Sequence, residues 1–170
     1  IFAGNLSAYI PWSLGGGLSS DYAVTAFSGG TNTYYRIPTY AFKHFSRYIR
    51  PGAVRLGAIP DDPVGLTVSA FRHGANGTLT VIMINNGASQ STASITLPGG
   101  TGISTFDAYT SRSGSYWQKS SAQVSAGKVN ATVPSKGMIT LFGTGAPVKV
   151  DISGPVSVSR DAGVVRRNGA

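Results

Sequence analysis

The 170-residue chain contains no cysteine and no glutamate. Without cysteine there is no disulfide framework, no thiol nucleophile and no zinc-thiolate site. Without glutamate, the carboxylate side chains reduce to Asp21, Asp61, Asp62, Asp107, Asp151 and Asp161. Long apolar runs are also missing. No stretch approaches the roughly 20 residues of a membrane span, so no membrane span is expected. Ile1-Phe2-Ala3-Gly4 has neither the basic start nor the length of a signal peptide. The chain does not open on methionine, which leads to the expectation of a processed or truncated start.

The six aspartates face 14 Lys and Arg residues, for a net charge of +8. The positive charges are scattered. Lys43, Arg47 and Arg50 share a helix face, Arg160, Arg166 and Arg167 lie near the end of the sequence, and neither group is interleaved with a stacking platform of aromatics. That pattern speaks against a nucleic-acid partner. Long-range attraction to acidic polysaccharide or cell walls remains open. The two histidines, His44 and His73, have no neighbouring Cys, Glu or second His, so neither a metal nor a cofactor is expected. His44 reads as a packed helix residue. No Gly-x-Ser-x-Gly elbow is present, and Gly15-Gly16-Gly17 lacks the Lys-Ser/Thr of a phosphate loop.

Within Tyr34 to Gly52, Ile37, Tyr40, Ala41, His44, Phe45, Tyr48 and Ile49 recur at helical spacing on one face, with Lys43, Ser46, Arg47 and Arg50 on the other. Pro38 suits a first helical turn, and Pro51-Gly52 supplies a sharp stop. The oily face needs a partner. Upstream, Leu6 to Leu14 reads as a short strand ending near Trp12, followed by a flexible glycine run. From Ala53 onward the chain is punctuated β structure, with candidate strands at 53–59, 65–73, 78–85, 91–97, 103–110, 115–124, 128–133 and 136–143. Asn76-Gly77, Asn86-Gly87, Gly99-Gly100, Ser113-Gly114 and Ala126-Gly127 are the turn-formers between them. Thr78 to Ile84 is apolar on both phases and predicts an interior strand covered on both faces. Lys128 to Val133 alternates strictly and predicts one wet face. Several short strands without intervening helix argue for a sandwich.

Phe45-Ser46-Arg47-Tyr48-Ile49-Arg50-Pro51-Gly52, continued into Ala53-Val54-Arg55-Leu56, resembles the junction in family 30 glycoside hydrolases, where the last helix of a (β/α)8 barrel passes into a β-sandwich side domain. Ala70-Phe71-Arg72, Leu79 to Asn86, and Ser135 to Phe142 are similar in order and spacing to strands of that side domain. The resemblance covers roughly Leu6 to Phe142 by eye. It implies a mainly β fold: an antiparallel β-sandwich side domain, preceded by a terminal strand-helix unit of the barrel. Residues 1–52 are then the last strand and helix of an incomplete barrel, 53–145 the sandwich, and 146–170 possible edge strands, such as Val148 to Val150 and Val156 to Val158, with a mobile tail.

The resemblance further implies a secreted, extracellular, retaining glycosidase acting on β-linked polysaccharide of the xylan, β-1,6-galactan or β-1,6-glucan class. A retaining glycosidase needs two carboxyl groups about 5 to 5.5 Å apart. In the resembled family both are glutamates on earlier barrel strands, so this chain alone is expected to be inactive, with no catalytic residue of its own and a missing N-terminal barrel segment as its partner. Asp61-Asp62, between Pro60 and Pro63, reads as a solvated turn, and Asp107 as facing water on a sheet. In the family a tryptophan at the position of Trp12 lines the sugar cleft; a core or edge aromatic is the competing reading. Tyr116 and Trp117 are either a second glycan contact or strand aromatics pointing to opposite faces. Asn5, Asn76 and Asn130 head Asn-x-Ser/Thr triplets, possible N-glycosylation sites that fit a secreted protein. A stand-alone carbohydrate-binding or structural extracellular β-sandwich module is the alternative class.

Overall fold

A computed structural model describes residues 13–17, 23–28, 32–35, 37–59, 66–147 and 156–160. Trp12, Asn5 and all the aspartates except Asp107 lie outside the described residues. The described chain is mainly β, with α1 at Ile37–Ser46 as its one helix. Among the described residues no helix is long and apolar enough to cross a membrane.

Three short strands precede the helix: β1 (Ser13–Gly17), β2 (Ala23–Ser28) and β3 (Asn32–Tyr35). β1 pairs parallel with β2, and β2 antiparallel with β3. The glycine run expected to be flexible is thus strand, because glycine backbone can enter a ladder when its neighbour supplies the partner groups. β2 and β3 were not anticipated from sequence.

The larger body is built from β4 (Val54–Leu56), β5 (Ala58–Ile59), β6 (Leu66–His73), β7 (Thr78–Asn85), β8 (Ser91–Thr96), β9 (Thr105–Arg112), β10 (Ser115–Ser125), β11 (Lys128–Val133), β12 (Gly137–Thr144) and β13 (Val156–Arg160). Their order is β4-β6-β7-β12-β9-β10-β11-β8-β13-β5. All neighbours are antiparallel except β13 and β5. The sheet curls because β10 serves two layers: Gln118 to Gln123 pair with β9, whereas Val124 and Ser125 pair with β11. At the margins the curl meets itself. β4 and β5 stand at opposite ends of the order yet are separated in the chain by Gly57 alone. The segment expected as one strand over 53–59 is therefore split at a glycine, so that its two halves join different layers.

One core fills the curl. Leu66, Val68 and Ala70 of β6, Leu79, Val81 and Met83 of β7, and Ile139 and Leu141 of β12 meet Ala93 and Ile95 of β8 and Val129, Ala131 and Val133 of β11. Alternation explains which residues enter it, since successive side chains of a strand take opposite faces. β7 is apolar on both phases, and Thr80 and Ile82 are buried on the face away from this core. β11 keeps Lys128, Asn130 and Thr132 exposed while Val129, Ala131 and Val133 are buried.

Two glycines have work only glycine can do. Gly52 ends the helical segment at φ 92, and an added Cβ would press within 2.9 Å of the His73 ring. Gly77, at φ 64 in the β6–β7 turn, lies so close to the Gly145 carbonyl oxygen that any Cβ would collide with it. Both conformations favour a residue without Cβ.

Candidate functional site

The side of the sheet away from the core carries the main concentration of polar and aromatic groups among the described residues, and α1 lies across it. The contacts come from residues 40, 43 and 44 of the helix and from 47 and 48 in the turn that follows it. Tyr40 stacks on Tyr116 with ring centroids 4.9 Å apart. Tyr48 stacks on Phe142 at 4.3 Å and lies 5.2 Å from Tyr109, which in turn stacks on Trp117 at 4.7 Å. Such offset pairs contribute about 0.5 to 1.5 kcal/mol each beyond the area they bury. Thr80 Oγ1 donates to the Tyr48 carbonyl oxygen at 3.1 Å, tying the end of the helix to β7.

His44 sits at the centre, fully buried. Its Nδ1 is 2.8 Å from Thr140 Oγ1 on β12, and its Nε2 is 2.8 Å from Ser111 Oγ on β9. The surroundings decide the tautomer. Thr140 Oγ1 donates its own hydrogen to the His44 carbonyl oxygen, so it accepts from Nδ1–H. Ser111 Oγ accepts the Trp117 backbone N–H at 2.9 Å and donates to Nε2. Every donor and acceptor of the neutral ring is then used. Burial, and secondarily the positive charge of Lys43, lower its pKa to about 4.

The docked face differs from the expected one. Tyr40, His44 and Tyr48 belong to it, but Lys43, assigned by periodicity to the wet side, lies over the Trp117 ring at 4.2 Å. Ala41 is exposed, and Phe45 and Ile49 are half-buried. The helix is turned because an aromatic sheet surface receives the aliphatic stem and ammonium of a lysine favourably. Burial and the neighbouring Arg47 lower the Lys43 pKa.

Tyr116 and Trp117 do not take opposite faces. Both rings meet the helix side, because β10 bulges between Ser115 and Gln118 and Trp117 adopts φ 55. A bulge of this kind re-aims a side chain at the cost of a strained residue. Asp107 does lie on this outer face, in an ion pair with Lys119 at 3.0 Å. The partially exposed pair is worth little in stability. Burial first, and then hydrogen bonding to Tyr48, push the Tyr109 hydroxyl up to about 12.

The chemistry available here is cohesive. His44 has no free nitrogen, and Asp107 is the one described carboxylate. Among the described residues no group of three or more His, Cys, Asp or Glu could hold a metal ion. Of the residues singled out from sequence, the structure unites His44, Tyr116 and Trp117. Asn76 and Asn130 are exposed elsewhere, Asn76 in the β6–β7 turn and Asn130 on the wet face of β11. Sequence reasoning did not pair His44 with Ser111 and Thr140. The available signal was the alternation of β12 and β9, which puts Thr140 and Ser111 on the phase opposite Leu141 and Ala108.

His73 forms a second tie. Its Nδ1 accepts the Asn76 backbone N–H at 3.3 Å, so Nε2 donates to the Pro51 carbonyl oxygen at 3.0 Å. The exit from the helix is thereby held to the β6–β7 turn.

No protein-family model matches the chain, and no curated protein does. Solved structures do. The catalytic domain of GH30 xylanase C from Talaromyces cellulolyticus is 30% identical with a TM-score of 0.60, over 72% of this chain and 27% of that one. Xyn30A, a family 30 subfamily 8 xylanase from Clostridium acetobutylicum, shares 23% identity with a TM-score of 0.63, over 74% of this chain and 31% of that one. A GH30 endoxylanase from Clostridium papyrosolvens shares 24% identity with a TM-score of 0.56, over 63% and 27% respectively. This chain thus spans between a quarter and a third of the length of the enzymes it matches. In sequence and in fold, it is similar to part of a family 30 glycoside hydrolase.

Proposed function

We propose that the chain is the non-catalytic C-terminal part of a secreted, retaining glycoside hydrolase acting on β-linked polysaccharide of the xylan, β-1,6-galactan or β-1,6-glucan class. Residues 1–52 end a (β/α)8 barrel, and residues 53–145 form the side sandwich that buttresses it. The observation that carries the reading is the lock between α1 and the sheet: a buried, fully hydrogen-bonded His44 within an aromatic stack fixes a helix rigidly to a sandwich. A rigid seam is what a barrel needs from a side domain, since catalytic groups must be held within fractions of an ångström by their support. The likeness to xylanase C supports the family, and the lack of any glutamate supports an inactive part whose reacting carboxylates lie elsewhere. In this reading Trp12 faces the sugar cleft. The engagement of Tyr116 with Tyr40 and of Trp117 with Tyr109 favours a buttress over a stand-alone glycan-binding module.

The test compares the 170-residue chain with a protein extended by the coding sequence that precedes it, on xylan, β-1,6-galactan and β-1,6-glucan. The short chain is expected to release no sugar and the extended one to cleave at least one substrate. Hydrolysis by the short chain overturns the reading. An extended protein inactive on all three overturns the substrate class.

A further inference from the structure

Arg72 is a buried arginine, 4% exposed, where Arg47, Arg50, Arg55 and Arg112 are exposed. It takes the phase of β6 that sends Leu66, Val68 and Ala70 into the core, and its strand neighbours are Val54 of β4 and Leu79 of β7. Alternation therefore commits a guanidinium to the end of an apolar interior. Its charge is poorly compensated there. Nη2 donates to the Ala146 carbonyl oxygen at 3.3 Å, whereas Nε and Nη1, both sealed from solvent, have no hydrogen-bond partner. Burial lowers its pKa, with no carboxylate opposing that shift. Asp107, the one described carboxylate, is paired with Lys119 on the opposite face of the sheet. An arginine does not shed its proton to escape such a setting. A buried cation without an anion is costly, and more so when its donors go unused.

The shape of the guanidinium says what completes it. Nη2 carries two hydrogens, one on the edge it shares with Nε and one on the edge it shares with Nη1. Whichever of them goes to Ala146, the other stands beside an orphan donor. The group therefore keeps one two-pronged edge, whose parallel N–H bonds match the two oxygens of a carboxylate. A neutral acceptor takes a single donor and leaves the charge unopposed. The edge lies one layer below the surface. Ala146 is exposed and belongs to no strand, and its stretch is held by the Gly145 N–H to the Gly77 carbonyl oxygen at 2.9 Å and the Ala146 N–H to the Thr101 carbonyl oxygen at 3.1 Å. A group this shallow is reached by local opening rather than by global unfolding.

We infer that Arg72 is the cationic half of an anion site at the end of the core, and that its ligand is a small carboxylate, of the size of formate or acetate, held two-pronged by the guanidinium. The depth of burial sets the size, and the unshared edge sets the chemistry. The inference stands apart from the chain's proposed place in a glycosidase.

Formate is the probe, with chloride at the same pH and ionic strength as the control for general salt effects. In the nitrogen-15-labelled chain the Arg72 Nε–H, sealed from solvent, is expected to be the slowest of the arginine Nε–H groups to exchange. Its resonance is expected to move with added formate along a curve that saturates, and to stay in place with chloride. The thermal midpoint is expected to rise with formate, as binding to the folded state requires. Arg72→Met keeps an unbranched stem and removes the charge, and its midpoint is expected to be the same in formate and in chloride. Arg72→Lys, a point charge without the fork, is expected to lose most of the formate response. Should either variant fail to fold, the titration of the unmodified chain still decides. A protected Nε–H that ignores formate overturns the proposal, because the charge is then met within the chain. Equal responses to chloride and formate overturn it, because the site then does not read the two oxygens, and so does a formate response undiminished in Arg72→Met.

Discussion

His44 shows how a single polar side chain can be worth burying. A histidine in an apolar setting is costly unless both ring nitrogens are paired. Here the hydroxyls of Ser111 and Thr140 relay those bonds onward, to the Trp117 N–H and to the His44 carbonyl, so one ring organises a strand bulge and a helix turn together. The charged groups on this face are Lys43 on α1, Arg47 in the turn after it, and Lys119 and Asp107 on the sheet. With a folded pKa of about 4 against 6.5 for the free ring, the unfolded chain binds the extra proton between those values. Stability is therefore undiminished above pH 6.5 and falls as the pH drops towards 4, by on the order of 3 kcal/mol for this group. Denaturant unfolding at several pH values checks it: His44→Gln is expected to be less stable at pH 7 and to lose that part of the acid sensitivity. A wild-type and variant difference that is constant from pH 7 to pH 4 would show that His44 does not titrate with unfolding. Periodicity alone put His44 on a packed helix face. Alternation puts Ser111 and Thr140 on the outer face of the sheet, but their pairing with His44 was beyond sequence reasoning because they lie 67 and 96 residues away.

At the scale of elements, most strands follow from alternation and turn chemistry. The ranges 78–85 and 128–133 match β7 and β11, since Asn76-Gly77 and Ala126-Gly127 delimit them sharply. Trp117 is the instructive exception: strict alternation separates it from Tyr116, and only a positive φ in mid-strand reunites them. β2 and β3 were missed for a different reason, as each is short and is defined by its neighbours, β1 and β3 for β2 and β2 for β3, rather than by a pattern of its own. The helix was legible as an element, but its orientation was not, because the apolar stripe ignores cation and aromatic contacts. That orientation is testable by a double-mutant cycle on Tyr40→Ala and Tyr116→Ala. The two changes are expected to couple by about 0.5 to 1.5 kcal/mol, whereas additive effects would mean that the rings do not meet.

For the whole molecule, the contacts across the seam predict that helix and sheet unfold as a single cooperative body. In a Trp12→Phe background, Trp117 is the one remaining indole, and it sits where α1 meets β9 and β10. Its fluorescence and the far-ultraviolet circular dichroism are expected to share one thermal midpoint. An indole transition well below the loss of β signal would mean that the helix detaches first. That the helix ends before the strands of the curled sheet begin was readable from the Pro51-Gly52 stop, but the meeting of the sheet's margins was not, because it depends on a change of layer at one glycine. That glycine gives both margins a common origin. With β4 and β5 on one unbroken stretch of backbone around Gly57, a one-residue slip of β4 against β6 would carry β5 the same step against β13. The slip in β4 would turn its buried Leu56 outward. Unless Gly57 absorbs the step, the register at one margin is thus set together with the register at the other.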